Sequence, residues 1–289
     1  MTARRWRASR LGGNDPIDQR AAGDFEARFG ESTFAPVVVI IAAYQEEATI
    51  GAVLDAVPPR CCGLAIDTLV VVDGATDTTA AIARDRGVYV CVCDANRGQG
   101  AALRLGYDLA RRHGARYVVT TDADGQYDSS QLARLLDPLV TDQADFVTGS
   151  RWLGDQVSTD RVRRAGSRFF ASVTSLLTGQ HITDTSFGFR AMRADLTDAI
   201  TLRQPQYQSA ELLIEVLAHG DRVLEVPMSM RARSGGESKK GTNLTYGVRY
   251  AAALAGTWLR HWRHWPRRWR RRPSRLPAVG PLTRRRRVE

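Results

Sequence analysis

The segment Val118 to Asp128, VVTTDADGQYD, sets two carboxylates one residue apart at the end of a β-branched run. In an extended strand alternate side chains share a side, so Asp122 and Asp124 can aim at one point while Val118 to Thr121 read as a buried strand. Two like charges held that close repel, and the arrangement invites a cation; all-oxygen ligation suits a hard ion, Mg²⁺ or Mn²⁺. Gln126 adds an amide oxygen if the extended spacing persists past Gly125. An isolated D-x-D is more often ordinary turn chemistry, so the surrounding elements have to decide.

Those elements alternate. VVVIIAA (Val37 to Ala43), IDTLVVV (Ile66 to Val72), VYVCVC (Val88 to Cys93) and RYVVTT (Arg116 to Thr121) read as buried strands. Between them helices are expected from about Glu46 to Val57, after a cap at Asp77 through Arg86, and from Gly98 to His113. This pattern predicts an α/β fold with a mostly parallel, Rossmann-like sheet flanked by helices. Ligands of such sheets bind outside the carboxyl ends of the strands. Tyr44 and Glu46, Asp73, Asn96 and Arg97, and the D-x-D follow the first, second, third and fourth strands respectively. Gly98, Gly100 and Gly106 follow the third strand rather than the first, which argues against a dinucleotide-binding domain.

The chain has 289 residues and a formal charge of +10, unevenly spread. Residues 260–289 hold twelve Arg and one Glu, a net of +11, which leaves −1 for the rest. Cys61, Cys62, Cys91 and Cys93 form no C-x-x-C pair and read as structural thiols of a reducing compartment. No leader is expected at the N-terminus, where basic residues precede no apolar core. The apolar run Tyr250 to Leu259 is far short of the roughly 20 residues that cross a bilayer. Residues 1–33 read by composition as disordered or loosely attached, with the folded body starting near Phe34.

Seven ordered motifs, VVVIIAAYQEEATIG, VVVDGATDTT, NRGQGAALRLG, TTDADGQ, GSRW, DTSFGFR and RSGGESK, make the stretch from Pro36 to Lys240 resemble the inverting GT-A glycosyltransferases that include dolichol-phosphate mannose synthases and related bacterial polyprenyl-phosphate sugar transferases. The resemblance implies one GT-A domain over 34–243, followed by an amphipathic helix over 244–262 and a basic tail over 263–289. It implies a nucleotide-sugar pocket lined by Ala43, Tyr44, Glu46, Asp73 and Ala123 and closed by Arg97 and Gly100. A divalent metal on Asp122, Asp124 and Gln126 is implied as well. Arg151, Arg163 with Ser167, and Arg233 with Ser238 and Lys239 match positions that contact donor and acceptor phosphates. Arg190 either approaches the donor diphosphate or pairs with Asp184. The chain departs from the family pattern at Ala42 (usually Pro), Gln45 (Asn), Val72 (Asp) and Gln99 (Lys).

The implied activity is metal-dependent, inverting transfer of a sugar from a nucleotide diphosphate sugar to polyprenyl phosphate. Phosphate monoester is already an anionic nucleophile and needs little or no base. A hydroxyl acceptor is the alternative, and would need a base, for which Asp184 or Glu211 could serve. A third reading is a binding protein on a degenerate transferase fold. Trp262, Trp265 and Trp269 interleave with tail arginines, a composition suited to an anionic membrane surface and not to specific nucleic-acid binding. The expected location is therefore cytoplasmic, peripheral at the inner face of the cell membrane. The sequence leaves sugar, base and oligomeric state open.

Overall fold

The computed structural model describes residues 15–30, 32–154, 161–231, 243–263 and 265. In chain order its elements are α1 (Pro16–Phe29), β1 (Val37–Ala43), α2 (Ile50–Asp55), β2 (Arg60–Cys61), β3 (Leu64–Asp73), α3 (Thr79–Asp85), β4 (Tyr89–Cys93), α4 (Gln99–Arg112), β5 (Tyr117–Asp122), α5 (Leu132–Val140), β6 (Phe146–Ser150), α6 (Arg161–Thr178), β7 (Arg190–Arg193), α7 (Leu196–Ala199), α8 (Gln208–His219), β8 (Val223–Pro227) and α9 (Asn243–His261).

The sheet runs β4, β3, β1, β5, β7, β6, β8, with the short β2 antiparallel to the start of β3. The first four strands are mutually parallel; β7 runs antiparallel to both β5 and β6, and β8 is parallel to β6. Valine and isoleucine on successive positions bury both sides of a strand. In β1, Val38 and Ile40 join the core under α1, α4 and α8, whereas Val37, Val39 and Ile41 join the opposite core under α2, α3 and α5. This two-sided burial is what the unbroken apolar runs encode. The mostly parallel α/β sheet expected from the sequence is present.

After β1 the chain moves outward to β3 and β4, and α4 then returns it to β5 on the other side of β1. Connections thus diverge from two adjacent strands, β1 and β5, where Ala42 pairs with Asp122. At such a switch point the loops splay apart and leave a crevice at the carboxyl ends.

Two expectations need correction. The helix expected from Glu46 starts only at Ile50, because residues 45–47 are tied sideways to the loop after β3: Gln45 Oε1 accepts from Thr76 N, and Glu46 N donates to Thr79 Oγ1. Residues 1–33 are not loosely attached throughout either. Asp15 caps α1 by accepting from Ile17 N at 2.9 Å, and Pro16 stands in the first turn, where its missing N–H costs nothing. Ala21, Ala22 and Phe25 are buried against the sheet, with Phe25 among the rings of Phe29, Phe34, Tyr89 and His113.

Phe25→Ala should therefore cost about 3–5 kcal/mol, the range for emptying an aromatic site in a core. Urea unfolding followed by tryptophan fluorescence checks this; an unchanged midpoint would mean α1 contributes nothing to the fold.

Candidate active site

β5 ends on Asp122, and the chain turns directly afterwards. Asp124 and Gln126 therefore do not continue the strand alternation, and the extended reading of the D-x-D holds only for its first carboxylate. Asp124 is buried, with Oδ1 accepting from Gln126 N at 3.1 Å. Gln126 spends its side-chain amide on Arg231 O at 3.3 Å, and its carbonyl accepts from Arg231 N. Asp122 stays half-buried at the crevice, where Oδ1 accepts from Gln99 Nε2 at 2.7 Å. Opposite it lies Gly188: a Cβ there would stand 3.2 Å from both Asp122 oxygens and 3.0 Å from the Tyr127 hydroxyl. A side chain at that position would crowd the Asp122 carboxylate, which the glycine avoids. Hard carboxylate oxygens suit a divalent ion, for which Asp122 and Asp124 would be the protein ligands. Among the described residues no cluster of three or more His, Cys, Asp or Glu could hold a metal. Such an ion would fill its remaining positions from phosphate and water, as Mg²⁺ does.

At the ends of β1 and β3, Ala43 is buried, Tyr44 is exposed and Glu46 accepts from Thr49 Oγ1 at 3.0 Å. Asp73 is buried, and Oδ2 accepts the backbone N–H of Arg97 (2.8 Å) and of Gly98 (2.7 Å). Burial raises its pKa, against the pull of those N–H groups and the Arg97 guanidinium. That guanidinium is shared: it pairs with Asp15, the cap of α1, at 3.1 Å, with Asp18 in α1, and with Asp73 Oδ1 at 3.5 Å. Gly100 also differs from expectation. A Cβ there would meet Gln204 O at 2.1 Å, and its N–H donates to Pro205 O at 2.7 Å. The glycine admits the 204–205 backbone, not a nucleotide. Ala123 is part of the core beneath the site.

The loop before β7 supplies the other wall. Asp184 is fully buried; Oδ2 accepts from Arg151 Nε at 2.7 Å and Oδ1 from Ser186 N at 3.1 Å, while Arg151 Nη2 donates to Ser186 Oγ. Asp122, Asp184 and Arg151 all act on the buried Tyr127 hydroxyl, whose pKa rises first through burial and then through the Asp122 charge. Both walls thus meet around Tyr127, which accepts from Gly188 N at 2.8 Å. Arg190 has neither of its expected roles. It is buried and donates to the backbone carbonyls of Phe187, Ser209 and Thr185, so its donors are spent on holding the loop. Ser167 accepts from Trp152 Nε1 at 3.2 Å, and Arg168 stacks over that indole at 4.2 Å.

Arg163 lies on α6, but its side chain falls outside the described residues, as do Arg233, Ser238 and Lys239 entirely. Sequence reasoning missed Glu225, Gly188 and Tyr127 as parts of the site. Glu225 accepts Thr183 N (2.7 Å) and Asp184 N (2.8 Å) and so fixes the loop that carries Asp184. A lone charge in the apolar strand Val223-Leu224-Glu225-Val226 was its readable signal.

The sequence model of the family described as Glycosyl transferase family 2 matches residues 38–201, more than half of the chain. A dolichyl-phosphate hexose transferase of Haloferax volcanii is 36% identical over 205 residues, which cover 71% of this chain and 87% of that protein. An undecaprenyl-phosphate mannosyltransferase of Micrococcus luteus is 32% identical, covering 70% and 86%, and a polyprenol monophosphomannose synthase of Mycolicibacterium smegmatis is 32% identical, covering 72% and 82%. Among solved structures, glucosyl-3-phosphoglycerate synthase from Mycobacterium tuberculosis, in complex with Mn²⁺ and UDP, superposes with a TM-score of 0.60 at 22% identity, over 81% of this chain and 83% of that one. At that identity the likeness shows the GT-A fold alone.

Burial lifts the Glu225 carboxyl from its ordinary 4.5 to about 7, opposed by the N–H donors of Asp184 and Thr183. A carboxyl raised in the folded state stabilises the protein below its unfolded pKa, and that contribution is lost as pH rises through the folded value. Glu225→Gln should flatten the fall in stability between those two values. Urea midpoints at about pH 5 and about pH 8 measure it; parallel slopes for variant and wild type would exclude Glu225 as the source.

Proposed function

The chain belongs to glycosyl transferase family 2, and we propose that it moves a sugar from a nucleotide diphosphate sugar to polyprenyl phosphate with inversion, working with Mg²⁺ or Mn²⁺ at a membrane surface on the cytoplasmic side. The names of the Haloferax, Micrococcus and Mycolicibacterium relatives support the acceptor class. The observation that carries it in this molecule is the state of the two candidate bases. Asp184 is locked by Arg151 and Ser186. Glu211 is fully buried and accepts Arg203 N, Gln204 N and Arg260 Nη2. Neither is placed to take a proton from a hydroxyl acceptor, and a phosphate acceptor needs none removed.

In the proposed reaction an acceptor phosphate oxygen forms the new bond to the anomeric carbon from the face opposite the donor diphosphate. The anomeric C–O bond breaks, and its electron pair leaves on the β-phosphate of the nucleoside diphosphate. A bound divalent ion supplies charge neutralisation for that leaving group. Asp122 and Asp124 would hold the ion, with Gln99 orienting Asp122 through its amide. Asp73, with one oxygen bound to the 97–98 backbone, faces the nucleoside end. Arg151, with Nε on Asp184 and Nη2 on Ser186, would meet phosphate on the opposite wall through its positive charge and its remaining N–H groups. The basic tail that continues from α9 would hold the enzyme to anionic lipid.

Incubation with a panel of radiolabelled UDP-, GDP- and dTDP-sugars, polyprenyl phosphate and Mg²⁺ or Mn²⁺, followed by lipid extraction, tests the reading. Label should enter the lipid phase for one donor and be lost with EDTA. Transfer only to a hydroxyl acceptor would overturn the acceptor assignment. Asp124→Ala should lower turnover at least about 100-fold while the protein stays folded by circular dichroism. Full turnover of that variant in excess EDTA would exclude the metal. Arg151→Ala should impair lipid transfer more than Asp184→Asn does, because the acceptor needs a cation there and not a base.

A further inference from the structure

Five of the eight large hydrophobic side chains exposed among the described residues lie on α6, on α9 or directly after it: Phe169 (62%), Leu176 (84%), Val248 (63%), Leu259 (57%) and Trp262 (49%). Scattered singly, such residues would need no explanation; gathered on neighbouring elements they do. The two helices run side by side in the same direction. Phe170 packs on Tyr250 at 4.8 Å between ring centroids, the carbonyl of Leu177 accepts from Trp258 Nε1 at 3.0 Å, and that of Thr178 from Trp265 Nε1 at 3.2 Å. These inward residues form a small core with α8 that includes Ile214 and Leu254.

Each helix therefore already has its buried face, and each carries a second apolar line on the other side. On α6 it passes through Phe169 and Leu176 with the small Ser172 between them, and on α9 through Val248, Ala252, Ala255 and Leu259, all exposed and spaced three or four residues apart. That spacing keeps a line on one side of a helix. Neither helix contains an Asp or Glu, and from residue 232 to the end only Glu237 and Glu289 are acidic. Arginines flank the apolar lines instead: Arg164 and Arg168 at the start of α6, Arg249 near the start of α9, and the tail after its end.

We propose that the outward side of α6 and α9 is the surface on which this protein rests on an anionic lipid bilayer, with the apolar lines in the headgroup boundary and the flanking arginines against lipid phosphate. The proposal rests on the membrane reading above and locates it. Charge complementarity selects this occupant over a second copy of the chain, since the same basic, acid-free surface on a partner would repel it. Position agrees: Phe169 follows within one turn of Ser167, which holds Trp152 beside Arg151, so a seated α6 brings the lipid boundary to the wall of the site that faces an acceptor phosphate. Trp265, which composition would assign to the headgroup region, is instead buried between α6 and α9. Trp262 is the described tail tryptophan available to lipid.

The test is flotation with vesicles of equal parts phosphatidylglycerol and phosphatidylcholine, in low salt and in about 1 M NaCl, where the Debye length falls to about 3 Å. Wild type and a Phe169→Gln, Leu176→Gln, Leu259→Gln variant are compared with a Trp265→Phe control, and thermal unfolding verifies that each is folded. The full-length wild type should float at low salt and retain part of its binding at high salt. The triple variant should lose about 10-fold or more at high salt, because glutamine removes apolar area without altering charge, and Trp265→Phe should float like wild type. If wild type itself does not float, the membrane reading fails. If wild type and triple variant float equally at high salt, this surface is not the lipid contact. A concentration-dependent dimer in light scattering that the triple variant abolishes would overturn the proposal in favour of a self-association face.

Discussion

The register of one parallel strand pair underlies the site. Because Ala42 lies opposite Asp122, and Ala43 opposite Val72, the ends of β1, β3 and β5 come out level at one edge of the sheet. Residues 80 positions apart in sequence are then close without any long-range design beyond apolar strands of matched length. The crossover of α4 behind β1 opens the crevice at that edge, and β7 closes its far side by running antiparallel to β5. A slip of one residue in β5 would turn Asp122 to the opposite face of the sheet. The buried valines and isoleucines on both faces make that slip costly, so the edge that carries the candidate site inherits its precision from the core.

Buried and half-buried arginines organise what the sheet does not. Arg190 gathers two loop carbonyls and that of Ser209 in α8, Arg97 gathers the carboxylates of Asp15 and Asp18 at the start of α1, and Arg260 reaches back from α9 to Glu211 at 2.7 Å and Glu215 at 3.0 Å. In the sequence each resembles a ligand for phosphate or lipid. A guanidinium carries five donors in a fixed plane, and withdrawn from water it must find acceptors for them. Backbone carbonyls supply them for Arg190, and carboxylates for Arg97 and Arg260. Arg151 differs, because its partners Asp184 and Ser186 line the candidate crevice itself.

This explains which parts of the molecule could be read in advance. The strands and α4 were legible because apolar runs and glycine breaks are local signals, and the D-x-D was legible because its strand was. The role of Gly100 was not, since the chain it admits is 104 residues away in sequence at Gln204. Asp18 looked like one charge in a polar N-terminal segment, and nothing local announced that Arg97 would pair with it. The helix α1 itself was readable: Asp15-Pro16 is a helix start, and Ala21, Ala22, Phe25 and Phe29 keep one face. A composition argument over 33 residues averaged that pattern away.

The C-terminal helix is tied to the chemistry more closely than its place after the last strand suggests. Tyr250 donates its hydroxyl to Thr185 Oγ1 at 2.6 Å in a buried contact, and Thr185 precedes the serine that holds Asp184. Its carbonyl is also one of the three gathered by Arg190. On its other flank α9 is pinned by Arg260 and His261 on α8 and by Trp265 between the helices. Cutting the chain before Trp262 would therefore do more than remove tail charge: the buried indole of Trp265 and its bond to Thr178 O would go as well. Emptying a site of that size weakens the packing of α6 on α9, and α6 carries Ser167, the residue that steadies Trp152 beside Arg151. The basic tail is separable from catalysis only beyond Trp265.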